Sequence, residues 1–123
     1  MIIVKTREQI ELMRESALIV SKTLGALAAE VKPGVTTLEL DKIAETCIRD
    51  HGAIPGFLGL YDFPNSLCMS PNEQVVHGIP NERPLCDGDL ISIDTGLVYG
   101  GYFADCAFSV GIGQVSPEIK RLL

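Results

Sequence analysis

The sequence has few positive charges and no long apolar run, and each shortage excludes a class of function. Its 123 residues include ten lysines and arginines against 16 aspartates and glutamates, a net charge of −6. Without a basic cluster to offset this charge, binding to DNA or RNA is not expected. No apolar run approaches the roughly 20 residues of a membrane-spanning helix, and the N-terminal M-I-I-V-K-T lacks the pattern of a secretory signal. The expectation is a globular cytoplasmic protein.

Cysteines are few and scattered. Cys47, Cys68, Cys86 and Cys106 form no C-x-x-C pair, a spacing that argues against a structural zinc site and carries no information about disulfides. We therefore expect buried free thiols in a reducing compartment.

Two capping boxes and one Ser-Pro pair predict three helices. Thr6–Gln9 and Thr36–Glu39 each place a threonine three residues before Gln or Glu, so that side chain and backbone can bond reciprocally. The first helix should run for about 20 residues and stop before Pro33, the second should end at His51–Gly52, and the third should begin at Ser116–Pro117. The predicted buried positions are Ile10, Met13, Ala17, Val20, Leu24 and Leu27 in the first helix, and Leu40, Ile43, Ala44, Cys47 and Ile48 in the second.

Residues 89–111 predict a β-hairpin, because apolar and β-branched residues flank a tight glycine-bearing turn. Folding it about the Tyr99–Gly100 peptide places Asp94 directly opposite Asp105, with Cβ atoms roughly 5 Å apart. Two like charges in that position are destabilising, so either one acid is protonated or both bind a divalent cation. A different register, with one acid on the solvent face, is the alternative.

His77 follows a stretch, Asn72–Pro80, that is predicted to be a strand ending in a turn at His-Gly. An imidazole there could bind a metal, move a proton or hold a substrate carbonyl, or it could be a structural histidine. An apolar and aromatic cluster lies just upstream, with the glycine and proline content of a loop that lines a cleft, although core packing is the alternative. Its members are Phe57, Leu60, Tyr61, Phe63, Leu67 and Cys68.

Three strings of residues resemble one enzyme family. They are S-L-C-M-S-P-N-E-Q-V-V-H-G-I-P from Ser66, G-D-L-I-S-I-D-T-G from Gly88, and G-Y-F-A-D from Gly101. Together they resemble the type I methionine aminopeptidases, and the likeness extends over nearly the whole chain. Its most specific part is the N-E-x-V-V-H-G-I-P string combined with two aspartates eleven residues apart.

The resemblance implies an α+β architecture, the pita-bread fold, in which two similar halves surround a pseudo-twofold axis. This chain would be the N-terminal half, an antiparallel sheet covered by two helices. The implied activity is removal of the initiator methionine from nascent polypeptides, with one or two divalent metal ions (Co, Mn, Fe or Zn). The implied partners are the N-terminus of the nascent chain and the ribosome.

The resemblance also implies roles for individual residues. Asp94 would be the bidentate ligand of one metal, Asp105 would bridge two metals, and His77 would contact the substrate amide beside them. The methionine side chain would be bound by Phe57, Leu60, Tyr61, Phe63 and Cys68.

Two features depart from the family's pattern. Tyr61–Asp62 stands where many members have His-Gly, and Ala104 precedes Asp105 where glycine is common. Family members are also longer, and their C-terminal half supplies a histidine and two glutamates to the metals. Residues 1–123 are therefore expected to form a single truncated domain, to bind metal weakly, to have little activity alone, and to self-associate through the face that the missing half would cover.

Two other functions fit the same hairpin. One is a proline-specific aminopeptidase or dipeptidase on the same fold, which the V-V-H-G-I-P string disfavours. The other is a non-enzymatic pita-bread module that binds proteins or the ribosome, which retention of Asp94, Asp105 and His77 disfavours.

Overall fold

The computed structural model describes residues 1–123 and contains three helices and one four-stranded sheet. The helices are α1 (Arg7–Glu30), α2 (Thr37–Asp50) and α3 (Pro117–Leu122), and a single 3-10 turn spans Leu60–Asp62. The strands are β1 (Ile54–Pro55), β2 (Leu67–Pro71), β3 (Leu90–Tyr99) and β4 (Tyr102–Gly111). None of the helices has the length and apolarity needed to cross a bilayer.

The sheet is antiparallel and built around β3. This strand pairs with β1 and β2 along one edge and with β4 along the other. Alternate residues of β3, from Ile91 to Leu97, are buried beneath α1 and α2. The opposite face, which we call the open face, carries the even-numbered residues of β3, and no helix covers it.

The predicted helix caps are confirmed. Thr6 and Thr36 both form complete capping boxes, and Ser116 caps α3 with Pro117 at the first position. The predicted buried face of α2 is correct at Leu40, Ala44 and Ile48, whereas Ile43 and Cys47 are only partly buried.

The predicted stripe of α1 is wrong in its first half. Ile10, Met13 and Ala17 are exposed, and the buried positions of the helix begin at Ser16 and continue through Ile19, Val20, Thr23 and Leu27. The Ser16 hydroxyl lies 3.0 Å from the carbonyl oxygen of Tyr99 and 3.1 Å from that of Tyr102, at the tip of the hairpin. A polar contact to the sheet therefore sets the rotation of α1, and apolar spacing alone does not reveal it.

The hairpin forms as predicted, but its register is not the predicted one. Asp105 lies opposite Gly96, and Asp94 lies opposite Ala107, a displacement of two residues. The cause is the turn at Gly100–Gly101, where both residues have positive φ (57° and 84°), as a two-residue hairpin turn of this kind requires. Because side chains alternate along a strand, a displacement of two keeps both acids on the same face, as diagonal neighbours.

The predicted strand across Asn72–Pro80 is absent, and the chain there is a turn followed by irregular loop. Asn72 adopts a left-handed conformation (φ 54°) directly after β2. Its side chain donates to Asp89 (2.8 Å) and accepts from the Leu90 amide (3.0 Å), so it bonds across to the start of β3. These long-range bonds turn the chain away from the sheet, and the local sequence pattern contains no sign of them.

Candidate metal and peptide site

One cavity on the open face brings together all but one of the residues that the sequence singled out for function. Its volume is about 360 Å³. The lining consists of Asp94, Asp105, His77, Phe57, Leu60, Tyr61, Phe63 and Cys68, and only Leu67, of the apolar cluster, lies elsewhere, in the core. Two acids and an imidazole therefore line an otherwise apolar and aromatic pocket.

The two acids of the cavity influence each other's charge state. Burial in the first place, and the neighbouring Asp105 carboxyl in the second, raise the pKa of Asp94 from 3.8 to about 6, and His77 opposes the rise. The Asp94 Oδ1 atom is buried and has no hydrogen-bond donor. Its nearest charged neighbour is another carboxylate, which can only accept unless the pair retains a proton. A divalent cation would satisfy that oxygen and remove the repulsion, so this donor pair fits a hard metal ion.

The two acids alone do not complete a metal site. No group of three or more His, Cys, Asp or Glu side chains gathers closely enough to hold an ion. A divalent ion of this type takes about six ligands, so the two acids would supply only part of the ligand set that such an ion needs.

Cys68 lies directly opposite Asp94 on β2. Burial in the first place, and then the charges of Asp94 and Asp105, raise the pKa of its thiol from 9.0 to about 11. Cys68 is therefore a neutral thiol at pH 7 and contributes a small, weakly polar surface to the wall of the cavity.

His77 reaches the cavity from a loop that is bonded to β2. The Met69 amide donates to the Gly78 carbonyl (2.8 Å), and the Gly78 amide donates to the Ser70 hydroxyl (3.0 Å). A Cβ on Gly78 would overlap the carbonyl oxygen of Met69, so only glycine permits this contact. The loop is thereby held against the strand that also carries Cys68.

The Phe57 ring forms an aromatic wall of the cavity, and its position depends on the glycine at position 96 of β3. Gly96 has no Cβ, and the Phe57 ring occupies the space where one would be, 2.6 Å from the ideal Cβ position. The Gly56 amide donates to the Gly96 carbonyl (2.7 Å) and fixes the start of this loop. Since Gly96 is paired with Asp105, the ring lies beside the acid pair.

We expect Gly96→Ala to push the Phe57 ring out of its position, because the added Cβ meets the end of a side chain that can rotate. The loss of stability should be modest, about 1 kcal/mol, with a clear change in the NMR resonances of Phe57. Gly25→Ala is the control, since a Cβ at Gly25 meets nothing within 4 Å. Unchanged Phe57 resonances in a folded Gly96→Ala variant would contradict this account of the wall.

The mouth of the cavity contains two non-glycine residues in left-handed conformations. Tyr61 has φ 49° and Asp62 has φ 63°, within the 3-10 turn. Glycine is the residue that adopts such positive φ values without steric strain, so both positions are unusual for residues with side chains. Tyr61 is 96% exposed, so its ring has almost no packing partner in this chain.

Several residues hold the loops around the cavity in place, and no pattern in the sequence predicts this role. Asp89 accepts from Asn72, from the Cys86 amide and from Arg83 (3.2 Å), and although burial opposes the change, these bonds and the Arg83 charge lower its pKa. This network closes the loop that carries His77. A polar side chain with a distant partner has no local pattern, so only the structure reveals its role.

Buried Asp41 holds the other end of the site. Its carboxylate accepts from the amides of Ser66 (2.9 Å) and Leu67 (2.8 Å) and from the Asn65 side chain (2.8 Å). These bonds fix the start of β2 against α2.

The prediction that the cysteines are buried is correct only in part. Cys68 is buried, but Cys86 and Cys106 are exposed.

Several known proteins are similar to this chain in sequence. Residues 11–123 match the profile of metallopeptidase family M24. The chain is 49% identical to a methionine aminopeptidase of Clostridium perfringens and 48% identical to methionine aminopeptidase 1 of Bacillus subtilis, in each case over the whole of this chain. It covers 49% and 50% of those two proteins, so it spans about half the length of the curated relatives it matches.

Solved structures show the same fold. The crystal structure of a methionine aminopeptidase from Rickettsia prowazekii superposes with a TM-score of 0.97 at 37% identity, covering 99% of this chain and 49% of that one. An Xaa-Pro dipeptidase from Bacillus anthracis superposes at 0.81 with 23% identity, covering 96% and 32%, and this likeness shows the fold alone. The α+β prediction, one half of a pita-bread fold, is confirmed.

Proposed function

Because the chain belongs to metallopeptidase family M24, we propose that its cavity is part of the active site of a methionine aminopeptidase that removes the initiator methionine from nascent proteins. The observation that carries the proposal is the buried, unsatisfied Asp94 Oδ1 beside Asp105 in an otherwise apolar pocket. Such a pair is costly without a cation, and an apolar pocket next to it suits an uncharged side chain such as that of methionine.

Each part of the cavity has a separate task in this proposal. Asp94 and Asp105 would hold the divalent metal, which supplies an activated water and polarises the scissile carbonyl. The His77 imidazole would donate a hydrogen bond to the substrate's peptide group and stabilise charge that develops there. Phe57, Phe63 and Cys68 would bind the methionine side chain by excluding water from it.

We further propose that residues 1–123 are one half of the catalytic domain and that donors outside them complete the ligand set. Two carboxylates fall short of the number a divalent ion takes, and the relatives are about twice as long as this chain. Carboxylate oxygens together with imidazole suit Co, Mn, Fe or Zn, in one or two sites. The partners would be the nascent N-terminus and the ribosome, in the cytoplasm.

A peptide titration tests the assignment and separates it from the proline-specific alternative. Met-Ala-Ser should shift the NMR resonances of Phe57, Cys68 and His77, whereas Ala-Pro-Ser should leave them nearly unchanged, since a methyl group does not fill the aromatic pocket. Equal shifts with both peptides, or none with either, would contradict the proposal.

In a coupled assay with Co²⁺ or Mn²⁺, we expect little turnover of Met-Ala-Ser by residues 1–123 alone. Turnover near that of a full-length relative would show that no further metal ligands are needed.

Residues 1–123 by themselves should form a dimer through the β4 edge and the part of the open face beside it. The edge strand β4 has one strand partner and contains no proline, lysine or arginine, the residues that commonly protect an edge. Beside it, Ile54, Val98 and Phe103 form a row across the open face, with Ile54 63% and Phe103 61% exposed. Apolar surface next to an open edge favours association.

Light scattering checks the association. We expect a mass of about twice 13.3 kDa at micromolar concentrations, because pairing two copies would cover both β4 edges. Phe103→Lys should return the monomer, and Leu12→Lys, on the exposed side of α1, should not. A mass of 13.3 kDa for the unsubstituted chain would contradict the proposed dimer.

A further inference from the structure

His77 makes no hydrogen bond of its own, although its backbone adopts a left-handed conformation that residues other than glycine rarely take (φ 59°). Its neighbours Val75 and Val76 are exposed and give it little packing. The position of the imidazole in the cavity therefore depends on the residue that follows it, since Gly78 is the nearest point at which the loop is bonded to the sheet.

Gly78 is held by two hydrogen bonds, one of which comes from a side chain. The backbone bond from Met69 fixes the Gly78 carbonyl, and the buried Ser70 hydroxyl, 3% exposed, accepts the Gly78 amide proton at 3.0 Å. A backbone bond survives most substitutions, but the bond to Ser70 does not survive the loss of the hydroxyl. Without it, the Gly78 amide would be buried without an acceptor, and relief would come from movement of the loop.

We propose that Ser70 is a positioning residue for His77: its hydroxyl locks Gly78 to β2 and thereby holds the imidazole over the Asp94–Asp105 side of the cavity. The inference rests on the proposed function, because it assigns Ser70 to the peptide-binding task of His77. Ser70 itself does not line the cavity and does not contact the substrate in this proposal.

The chain provides its own internal reference for the test. It has only two histidines, and His51 caps the end of α2, with its Nδ1 atom 2.7 Å from the Cys47 carbonyl. Histidine ring resonances in an NMR spectrum therefore report the cavity and a remote position separately. Ser70→Ala should shift the ring resonances of His77 and weaken its nuclear Overhauser contacts to the cavity, while those of His51 stay in place.

The matched control is Ser92→Ala. Ser92 lies directly opposite Ser70 on β3, and its hydroxyl pairs with that of Ser109 at 2.8 Å, away from the His77 loop. This substitution removes one serine hydroxyl from the same face of the sheet and should leave both histidines unmoved. Ser70→Thr retains the acceptor and should restore the His77 resonances, and it provides the comparison if Ser70→Ala folds poorly.

Peptide binding separates positioning from a merely structural role. Ser70→Ala should weaken Met-Ala-Ser binding by about fivefold, the effect of losing one ordinary hydrogen bond, and the same substitution in a His77→Ala background should have no further effect. His77 resonances that move equally in Ser92→Ala, or a Ser70→Ala effect that persists without His77, would overturn the inference. If His77→Ala alone leaves peptide binding unchanged, the proposed function of His77 fails, and the resonance test of Ser70 still stands.

Discussion

Gly78→Ala is expected to lower the free energy of unfolding by about 3 kcal/mol, at the upper end of the range for forcing an extra carbon into a packed site. The new Cβ would overlap the carbonyl oxygen of Met69, which belongs to β2 and cannot rotate aside. The loop must then move away from the strand and take His77 with it. Stability and His77 position are thus lost together, and both can be measured, by urea unfolding and by the imidazole resonances.

Gly25→Ala is the matched glycine control for this prediction. Gly25 lies within α1, and a Cβ there meets nothing within 4 Å. Alanine is the better helix former, so this variant should be more stable than the unsubstituted chain by up to about 1 kcal/mol. A Gly78→Ala chain as stable as the Gly25→Ala chain would show that the loop is not bonded to β2 as described.

Asp94→Asn should stabilise the metal-free chain at neutral pH while removing a metal ligand. The pKa of Asp94 is raised from 3.8 to about 6 by burial and by Asp105. The folded chain therefore holds the proton more tightly than the unfolded chain does, and this contribution to stability is complete below pH 3.8 and is lost as the pH rises through 6. A rise of this size corresponds to about 3 kcal/mol for a fully buried group, and solvent screening at this half-buried position reduces it to about 1 kcal/mol.

The measurement is urea unfolding in EDTA at pH 4 and pH 7.5. The stability gained by Asp94→Asn over the unsubstituted chain should be larger at pH 7.5 than at pH 4 by about 1 kcal/mol. Asp62→Asn, at an exposed acid in the turn at the cavity mouth, should show no such difference between the two pH values. If the gain from Asp94→Asn is the same at both, the pKa of Asp94 is not raised in the folded chain.

The sequence alone predicts those structural elements that are stabilised by interactions between residues close together in the chain. The capping boxes at Thr6 and Thr36 involve residues three positions apart, and both are present. The hairpin register was wrong because two residues with positive φ, Gly100 and Gly101, move the centre of the turn by one residue. The strand predicted through His77 was wrong because the bonds of Asn72 to the start of β3 join residues 17 and 18 positions apart.

The family resemblance indicates which residues line the cavity, whereas the physical properties of the residues alone do not. Folding the hairpin about the Tyr99–Gly100 peptide puts Asp94 and Asp105 on one face but gives them the wrong cross-strand neighbours, and nothing in the sequence links His77 or Phe57 to them. The structure supplies these links: Ser70 and Gly78 bring in His77, and the missing side chain of Gly96 admits Phe57. Such contacts depend on the shape of distant segments, so periodicity and propensity do not report them.

The most direct test of the central claim, that Asp94 and Asp105 form part of a metal site, is calorimetric titration of residues 1–123 with Mn²⁺. We predict weak binding, with a dissociation constant on the order of 1 mM, because the chain supplies too few ligands for a tight site. Either Asp94→Asn or Asp105→Asn should abolish it, and Asp62→Asn should leave it unchanged. Binding that survives both substitutions, or no binding by the unsubstituted chain at millimolar Mn²⁺, would contradict the account.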